Sequence, residues 1–199
     1  MDIFYTSLTQ GGFIYTIVLV WLSVYFIITM WIYISRSLTL SNWEKVEKSS
    51  LESLLKGVAK IKRNSILSKC VGSREHNIAT LSVCKSVAEK KATSYLSMLS
   101  VIASTSPFIG LFGTIVGILT TFSQLGSAET ASLTVIAPAI SEALVATAAG
   151  IFVAIPAYTA HIFVKRKAYE VLSVIQREID LLHVASPTES VESKKKYEF

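Results

Sequence analysis

The chain has 199 residues, of which 51% are hydrophobic, and a formal net charge of +5. Its length would suit one or two soluble domains, but the apolar residues form long uncharged blocks, which excludes an ordinary water-soluble globule. The basic residues cluster in two segments beside these blocks, so the positive charge indicates the flanks of membrane helices and not a nucleic-acid surface.

The first apolar block covers residues 11–34 and contains no charged side chain. A membrane-spanning helix needs roughly 20 apolar residues, so this block predicts one span. A cleaved signal peptide would have a basic leading region and a shorter apolar core, whereas Asp2 is the one charge that precedes this block. We therefore expect a retained helix, with Trp31 and Tyr33 near the inner interface.

The second and third apolar blocks lie in residues 96–164, on either side of a polar break at 123–130. This stretch contains no Lys or Arg, and its acidic residues are Glu129 and Glu142. The pattern predicts a helical hairpin that crosses the membrane twice. The chain is thus predicted to be an all-α integral membrane protein with three transmembrane helices in a lipid bilayer.

The basic residues predict the orientation of these spans. Twelve of the 19 Lys and Arg residues lie at 36–91 and the other seven at 165–196. The positive-inside rule places both segments in the cytoplasm and the N-terminus outside. The predicted organisation is a tail and first span at 1–35, a cytoplasmic helical segment at 36–95, a second span at 96–128, a third span at 129–165, and a cytoplasmic helix and tail at 166–199.

The cytoplasmic segments carry amphipathic helical patterns. Leu51, Leu54, Leu55, Val58 and Ile61 recur at three- and four-residue spacing, which predicts a helix with one apolar face. A second helix is expected to start near Arg74 and run without a break into the second span, since no Gly or Pro intervenes before Ser106. A third follows Lys165 and gives way to a disordered tail after Pro187. Cys70 and Cys84 are expected to be reduced and to act as small apolar side chains.

Small residues recur at four-residue spacing in the second and third spans, and such rows bring membrane helices close together. We predict that helix packing uses these positions: Gly110, Gly113, Gly117, Ala143, Ala146, Gly150 and Ala154. Because small residues occupy more than one face of the third span, a homo-oligomer is expected. Packing within the hairpin alone is the alternative.

Glu142 is the candidate functional residue, because a carboxylate inside a membrane is costly unless it has a role or a partner. It lies nine residues after Leu133, at a depth of about 13 Å. Glu142 either faces a water-filled or protein-lined cavity, is protonated and hydrogen-bonded to a hydroxyl, or lies nearer the outer interface and is solvated. Thr114 and Thr147 are predicted to lie at a depth in the membrane similar to that of Glu142. Glu142 and Thr147 are about 140° apart on a straight helix, so both point at one axis only if the helix is distorted.

The sequence does not indicate an enzyme. His76, His161 and His183 are scattered and lack acidic or cysteine partners at metal-ligand spacing. There is no glycine-rich phosphate loop with a lysine and no nucleophile turn. We therefore expect no catalytic residues, no metal site and no cofactor.

Two motifs carry a family resemblance. Residues 106–118 read SPFIGLFGTIVGI and residues 135–157 read VIAPAISEALVATAAGIFVAIPA, and both resemble the TolQ/ExbB proton-channel family, which is related more distantly to the flagellar-stator protein MotA. MotA has four spans, so the layout here differs from a stator. The resemblance implies a homopentamer in the bacterial inner membrane around a pore, with Thr114, Glu142 and Thr147 on the ion pathway.

The resemblance also implies partners. A dimer of a single-span protein of the TolR or ExbD type would occupy the pore, and force would pass through TolA and Pal or through TonB to the outer membrane. The motifs lean towards TolQ of the Tol-Pal system, which serves outer-membrane integrity and cell division, with ExbB of the TonB uptake system as the alternative. A passive membrane scaffold and a solute transporter are the rival classes.

Overall fold

The fold was analysed in a computed structural model, which describes residues 13–56, 65, 78–125 and 133–185. These residues form four helices and no strand: α1 (Phe13–Leu55), α2 (Ile78–Ala92), α3 (Leu96–Leu125) and α4 (Leu133–Ala185). The predicted outer tail, the tip of the hairpin, Cys70, the apolar positions Val58 and Ile61, and the tail after Pro187 lie outside the described residues.

Three of the helices are long and apolar enough to cross a membrane, which confirms the all-α architecture with three spans. At 1.5 Å per residue, the 43 residues of α1 measure roughly 65 Å and the 53 residues of α4 roughly 80 Å. The hydrocarbon core of a bilayer is about 30 Å thick. Both helices therefore extend well beyond a bilayer, as predicted from the basic segments that follow their apolar blocks.

The chain divides into two compact units. The membrane unit comprises the described residues of Met1–Ile34 and Tyr95–Ile162, and the charged unit those of Ser35–Ser94 and Phe163–Phe199. Every Lys and Arg in the sequence falls within the ranges of the charged unit. The division follows the boundary between apolar and basic sequence, because lysine and arginine side chains are costly in hydrocarbon.

The core of the membrane unit joins the three spans. One buried cluster takes Tyr15, Val18, Leu19 and Leu22 from α1, Ile102 from α3, and Ala146, Val153 and Ala157 from α4. Phe26 of α1 stacks on Phe152 of α4 with ring centroids 5.7 Å apart. The first span is thus packed on both helices of the hairpin.

The charged unit has a core of its own. Its fully buried apolar residues include Leu40 of α1, Ala88 of α2, and Val171 and Ile175 of α4. Lys167 of α4 donates hydrogen bonds to the hydroxyls of Ser37 and Ser41 on α1. Val171 and Ile175, on the helix predicted after Lys165, are thus buried in this unit. Of the stripe predicted on α1, Leu51 and Leu54 are half-buried and Leu55 is exposed.

The predicted unbroken helix from Arg74 into the second span is wrong. α2 ends at Ala92 and α3 begins at Leu96, because Tyr95 adopts a left-handed backbone conformation with φ of 69°. Arg36 donates hydrogen bonds to the carbonyls of Lys91 at 2.7 Å and Ala92 at 2.9 Å. The guanidinium satisfies carbonyls that lose their helical partners at the end of α2.

A glycine is expected to suit position 95 better than an alanine. A left-handed conformation costs a residue with a Cβ about 1–2 kcal/mol, and the Tyr95 side chain is largely exposed, so little packing is lost. Thermal unfolding should show Tyr95→Gly to be more stable than Tyr95→Ala by about 1 kcal/mol. At exposed Ser100, inside α3, the order should reverse by a similar amount. The same order at both positions would contradict this account of the break.

Cys84 also differs from expectation. It is buried in α2 and is disulfide-bonded, whereas the sequence predicted a reduced thiol that acts as a small apolar side chain. The predicted compartment indicates only the usual redox state of a cysteine. It does not show which cysteines the fold brings into a disulfide.

Candidate functional site

The site is built on a contact between α3 and α4 in which the two backbones touch. A Cβ placed on Gly110 would lie 2.6 Å from the carbonyl oxygen of Ala146 and 3.1 Å from the Cα of Gly150. A Cβ on Gly150 would lie 2.6 Å from the carbonyl oxygen of Ser106. Only glycine allows this approach at either position, because real Cβ atoms do not come so close to a carbonyl oxygen.

The other small residues extend the contact along the two helices. A Cβ on Gly113 would meet Ala146 at 3.0 Å, and one on Gly117 would meet the Cβ of Ala143 at 3.1 Å. Ala143 and Ala146 are buried, and Ala154 is half-buried. The rows that suggested a homo-oligomer are thus largely occupied by packing within the hairpin, which was the alternative, so they do not by themselves require a second copy of the chain.

This close approach brings two threonines together. Thr114 of α3 is 9% exposed, and its hydroxyl is hydrogen-bonded to the hydroxyl of Thr147 on α4. Thr114 also donates to the carbonyl of Ala143 at 3.0 Å, and both hydroxyls lie 3.4 Å from the carbonyl of Gly110. A chain of exchangeable protons and acceptors therefore lies at the α3–α4 contact in the middle of the apolar stretch.

Glu142 stands apart from the threonine pair. Among the described residues it makes no hydrogen bond with Thr114 or Thr147, and its side chain is only partly buried. It precedes Ala146 by about one turn of α4 and Thr147 by five residues, which directs it to a different side of the helix. The structure thus brings together two of the three predicted polar residues and leaves Glu142 on a neighbouring face.

Tyr15 is a residue near Glu142 that the sequence analysis did not identify. Its side chain is 6% exposed and packs in the cluster that contains Ala146. Its hydroxyl is buried and has no hydrogen-bond partner among the described residues, and Glu142 acts on it electrostatically. The sequence did carry a signal, since Tyr15 is a polar aromatic near the N-terminal end of the first apolar block.

The described part of the chain contains no group of three or more His, Cys, Asp or Glu side chains that could hold a metal ion. Of the three histidines, His161 lies with its Nδ1 3.0 Å from the backbone oxygen of Leu96, which places it at the start of α3. His76 lies outside the described residues, and the side chain of His183 is not described.

The fold and this site define a class. The chain is an all-α protein with three helices able to span a membrane, and two hydrogen-bonded threonines lie at the contact of the second and third of these helices. The model of the MotA/TolQ/ExbB proton channel family matches residues 47–177, which is more than half of the chain. The protein belongs to this family and is a multi-pass membrane protein.

Three relatives illustrate the similarity. A putative biopolymer transport protein ExbB-like 1 of Helicobacter pylori is 40% identical over 140 residues, which cover 69% of this chain and 74% of the relative. The Tol-Pal system protein TolQ of Pseudomonas aeruginosa is 46% identical over 59 residues, 30% of this chain and 26% of the relative. The biopolymer transport protein ExbB of Pseudomonas putida is 45% identical over 58 residues, 29% of this chain and 18% of the relative.

These similarities confirm the TolQ/ExbB resemblance. They do not separate TolQ from ExbB, because relatives of both names match at comparable identity over similarly short stretches. The motifs favoured TolQ, but the relatives do not decide between the TolQ and ExbB types.

Proposed function

We propose that the chain conducts protons as the channel subunit of an energy-transducing complex in the bacterial inner membrane. The observation that carries the proposal is the hydroxyl pair of Thr114 and Thr147, which is held at a backbone contact inside an apolar hairpin, with Glu142 on the adjacent face of α4. The hairpin sequence contains no basic residue that could neutralise Glu142 by pairing. A carboxyl group in such surroundings is suited to exchanging a proton.

The proposed orientation has the N-terminus outside and the charged unit in the cytoplasm. It is supported by the location of all 19 basic residues within the charged unit. Trp31, near the end of the first apolar block, is 77% exposed, which suits an aromatic ring at the interface between hydrocarbon and headgroups. In this orientation protons would enter from the N-terminal side and leave towards the charged unit.

The proposed assembly is a homopentamer around a pore that holds a single-span partner of the TolR or ExbD type. The membrane unit leaves large apolar side chains exposed on α3 and α4, among them Phe108, Phe112, Phe152 and Ile155. Such side chains suit lipid or a neighbouring subunit. Each proton that crosses releases about 2.3 kcal/mol per 100 mV, and this energy would be passed to a TolA- or TonB-like protein.

Two systems are candidates for the complex. The motifs in α3 and α4 favour TolQ of the Tol-Pal system, with a role in outer-membrane integrity and cell division. An ExbB-type role in biopolymer transport is favoured by the relative that matches 69% of this chain and is named ExbB-like. Co-purification of the native complex distinguishes the two, since a TolA-like protein supports the first system and a TonB-like protein the second.

The proposal is tested by proton flux in sealed vesicles. The full chain is reconstituted with the single-span protein that co-purifies with it, and acidification is followed under an imposed membrane potential. We expect flux that requires both proteins and that rises with the potential. A chain that assembles with its partner and gives no flux above that of empty vesicles would support a passive scaffold, and uptake of a solute by the chain alone would support a transporter.

A further inference from the structure

The hydroxyl of Tyr15 is a buried polar group in the core of the membrane unit. The side chain is 6% exposed, and the other buried members of its cluster are all apolar. The hydroxyl makes no hydrogen bond with any residue that the structure describes. A buried hydroxyl without a partner is destabilising, and a phenylalanine would fill the same space without it. Packing alone therefore does not explain a tyrosine at this position.

The first and third spans pack in parallel beside Gly113 of α3. A Cβ placed on Gly113 would lie 3.1 Å from Cγ1 of Val18 on α1 and 3.0 Å from the Cβ of Ala146 on α4. Further along the same two helices, Phe26 of α1 stacks on Phe152 of α4. Residue numbers thus increase together from the first contact to the second, so α1 and α4 run in the same direction.

Tyr15 and Glu142 lie at nearly the same level of these parallel helices. Tyr15 precedes Val18 by three residues, about 4.5 Å along α1, and Glu142 precedes Ala146 by four, about 6 Å along α4. Residues three or four apart share a helix face, so both side chains lie on the faces that their helices turn towards Gly113. The Glu142 carboxyl accordingly acts on the Tyr15 hydroxyl electrostatically, although the two groups are not hydrogen-bonded.

The Glu142 side chain has the freedom to reach this hydroxyl. It is half-buried and makes no hydrogen bond within the described part of the chain, and a change of rotamer moves its carboxyl without moving α4. The hydroxyls of Thr114 and Thr147 are bonded to each other and lie close to backbone carbonyls. Tyr15 therefore offers Glu142 a hydroxyl that is not already engaged.

A phenol hydroxyl favours the ionised form of a neighbouring carboxyl group. An ionised carboxylate only accepts hydrogen bonds, and a tyrosine hydroxyl can donate one. Hydrogen bonds to a charged acceptor are roughly twice as strong as those between neutral groups. The hairpin sequence contains no Lys or Arg that could stabilise the charge of Glu142. The Tyr15 hydroxyl can supply part of this stabilisation from the first span.

We propose that Tyr15 is the first-span residue of the ion pathway. When Glu142 has released its proton, the Tyr15 hydroxyl donates a hydrogen bond to the carboxylate and holds it in place until the next proton arrives. The O–H bond of Tyr15 stays intact, so the transferred proton is carried by Glu142 and not by the tyrosine. This inference rests on the proposed function, and it gives α1 a part in conduction.

The test is Tyr15→Phe in the reconstituted complex, with proton flux measured in sealed vesicles. Phenylalanine keeps the ring in the cluster and removes only the hydroxyl. We expect flux to fall by about tenfold, which corresponds to the loss of one hydrogen bond to a charged group. Unfolding of the detergent-solubilised variant should show no loss of stability, because the hydroxyl has no partner among the described residues.

Tyr25→Phe is the matched control. Tyr25 lies on the same helix, about 15 Å beyond Tyr15, and its partly buried ring packs against the same cluster. It loses the same atom in this substitution and should retain the flux of the unmodified chain. An equal fall in flux for both variants would show that the first span tolerates no such change, and it would overturn a specific role for Tyr15.

Infrared difference spectra test the hydrogen bond itself. The carboxylate bands of Glu142 are identified by their loss in Glu142→Gln, and we expect them to shift in Tyr15→Phe and to stay in place in Tyr25→Phe. A purely structural tyrosine would leave these bands unchanged. If Tyr15→Phe does not fold, the tyrosine C–O band is followed in the unmodified chain and in Glu142→Gln. A band that does not respond to ionisation of Glu142 overturns the inference.

The outcomes separate this inference from the proposed function. Full flux in Tyr15→Phe, together with impaired flux in Glu142→Gln, would overturn the role of Tyr15 and leave the proposed function standing. Absence of flux in the unmodified complex would overturn the proposed function and the role of Tyr15 with it. Reduced flux in Tyr15→Phe with shifted carboxylate bands and unchanged stability would support both.

Discussion

Gly110→Leu is expected to prevent stable packing of α3 on α4. Even a single Cβ at this position lies 2.6 Å from the carbonyl oxygen of Ala146 and 3.1 Å from two Cα atoms of α4. These atoms belong to the backbone, so no change of rotamer can make room, and the helices must separate. We expect a loss of about 3 kcal/mol or more for leucine and about 1–3 kcal/mol for Gly110→Ala. Unfolding of the detergent-solubilised chain measures both values.

Gly117 supplies the matched control for this prediction. It belongs to the same row of small residues, but a Cβ there meets the methyl group of Ala143 at 3.1 Å and its Cα at 3.7 Å. Gly117→Ala should therefore cost less than about 1 kcal/mol. Equal losses for the alanine variants at positions 110 and 117 would show that the backbone contact is not what holds the hairpin together.

Glu142→Gln is expected to abolish most of the proton flux while the chain still folds and assembles. Glutamine has the size of the carboxylic acid and its hydrogen-bonding capacity, but it cannot release a proton. A positioned proton-transfer group contributes about 100-fold or more to rate, and we expect flux in vesicles to fall by that order. Since Glu142 is only partly buried and makes no hydrogen bond to described residues, its neutral replacement should leave the stability of the hairpin nearly unchanged.

The same flux measurement distinguishes a proton-conducting subunit from a passive scaffold. Glu129→Gln is the control, because Glu129 is the other acid of the hairpin sequence and lies in its polar break. It should retain full flux. A Glu142→Gln chain that conducts normally would remove Glu142 from the ion pathway, and one that fails to assemble would assign the residue to helix packing.

The sequence predicted the parts of this fold that depend on composition. Three uncharged blocks of membrane-spanning length predicted three helices, because charged side chains are costly in hydrocarbon and are therefore rare in membrane spans. Four-residue spacing also identified Gly110, Ala146 and Gly150 as small residues on helix faces. Depth counting placed Thr114 and Thr147 at a similar depth, and the five-residue spacing of Glu142 and Thr147 predicted that their side chains point in different directions.

Features that arise from distant residues were not predictable in this way. The helix break at Tyr95 contains no Gly or Pro from which it could be predicted. Arg36, which lies on another helix, donates a hydrogen bond to a backbone carbonyl at the end of α2. Glu47 and Glu178 each look like ordinary surface glutamates in an amphipathic segment, but both are fully buried in the folded charged unit. The neighbourhood of Tyr15 and Glu142 likewise depends on how the first span packs against α4.

The backbone contact at Gly110 and Gly150 has a mechanical consequence. Helices that touch through long side chains can slide or rotate as rotamers change, whereas two backbones in direct contact have no such freedom. The second and third spans should therefore travel together as a single stiff element during any working cycle. Any movement of this element relative to its neighbours would then have to occur at its outward faces, where side chains such as Phe108 and Ile155 are exposed.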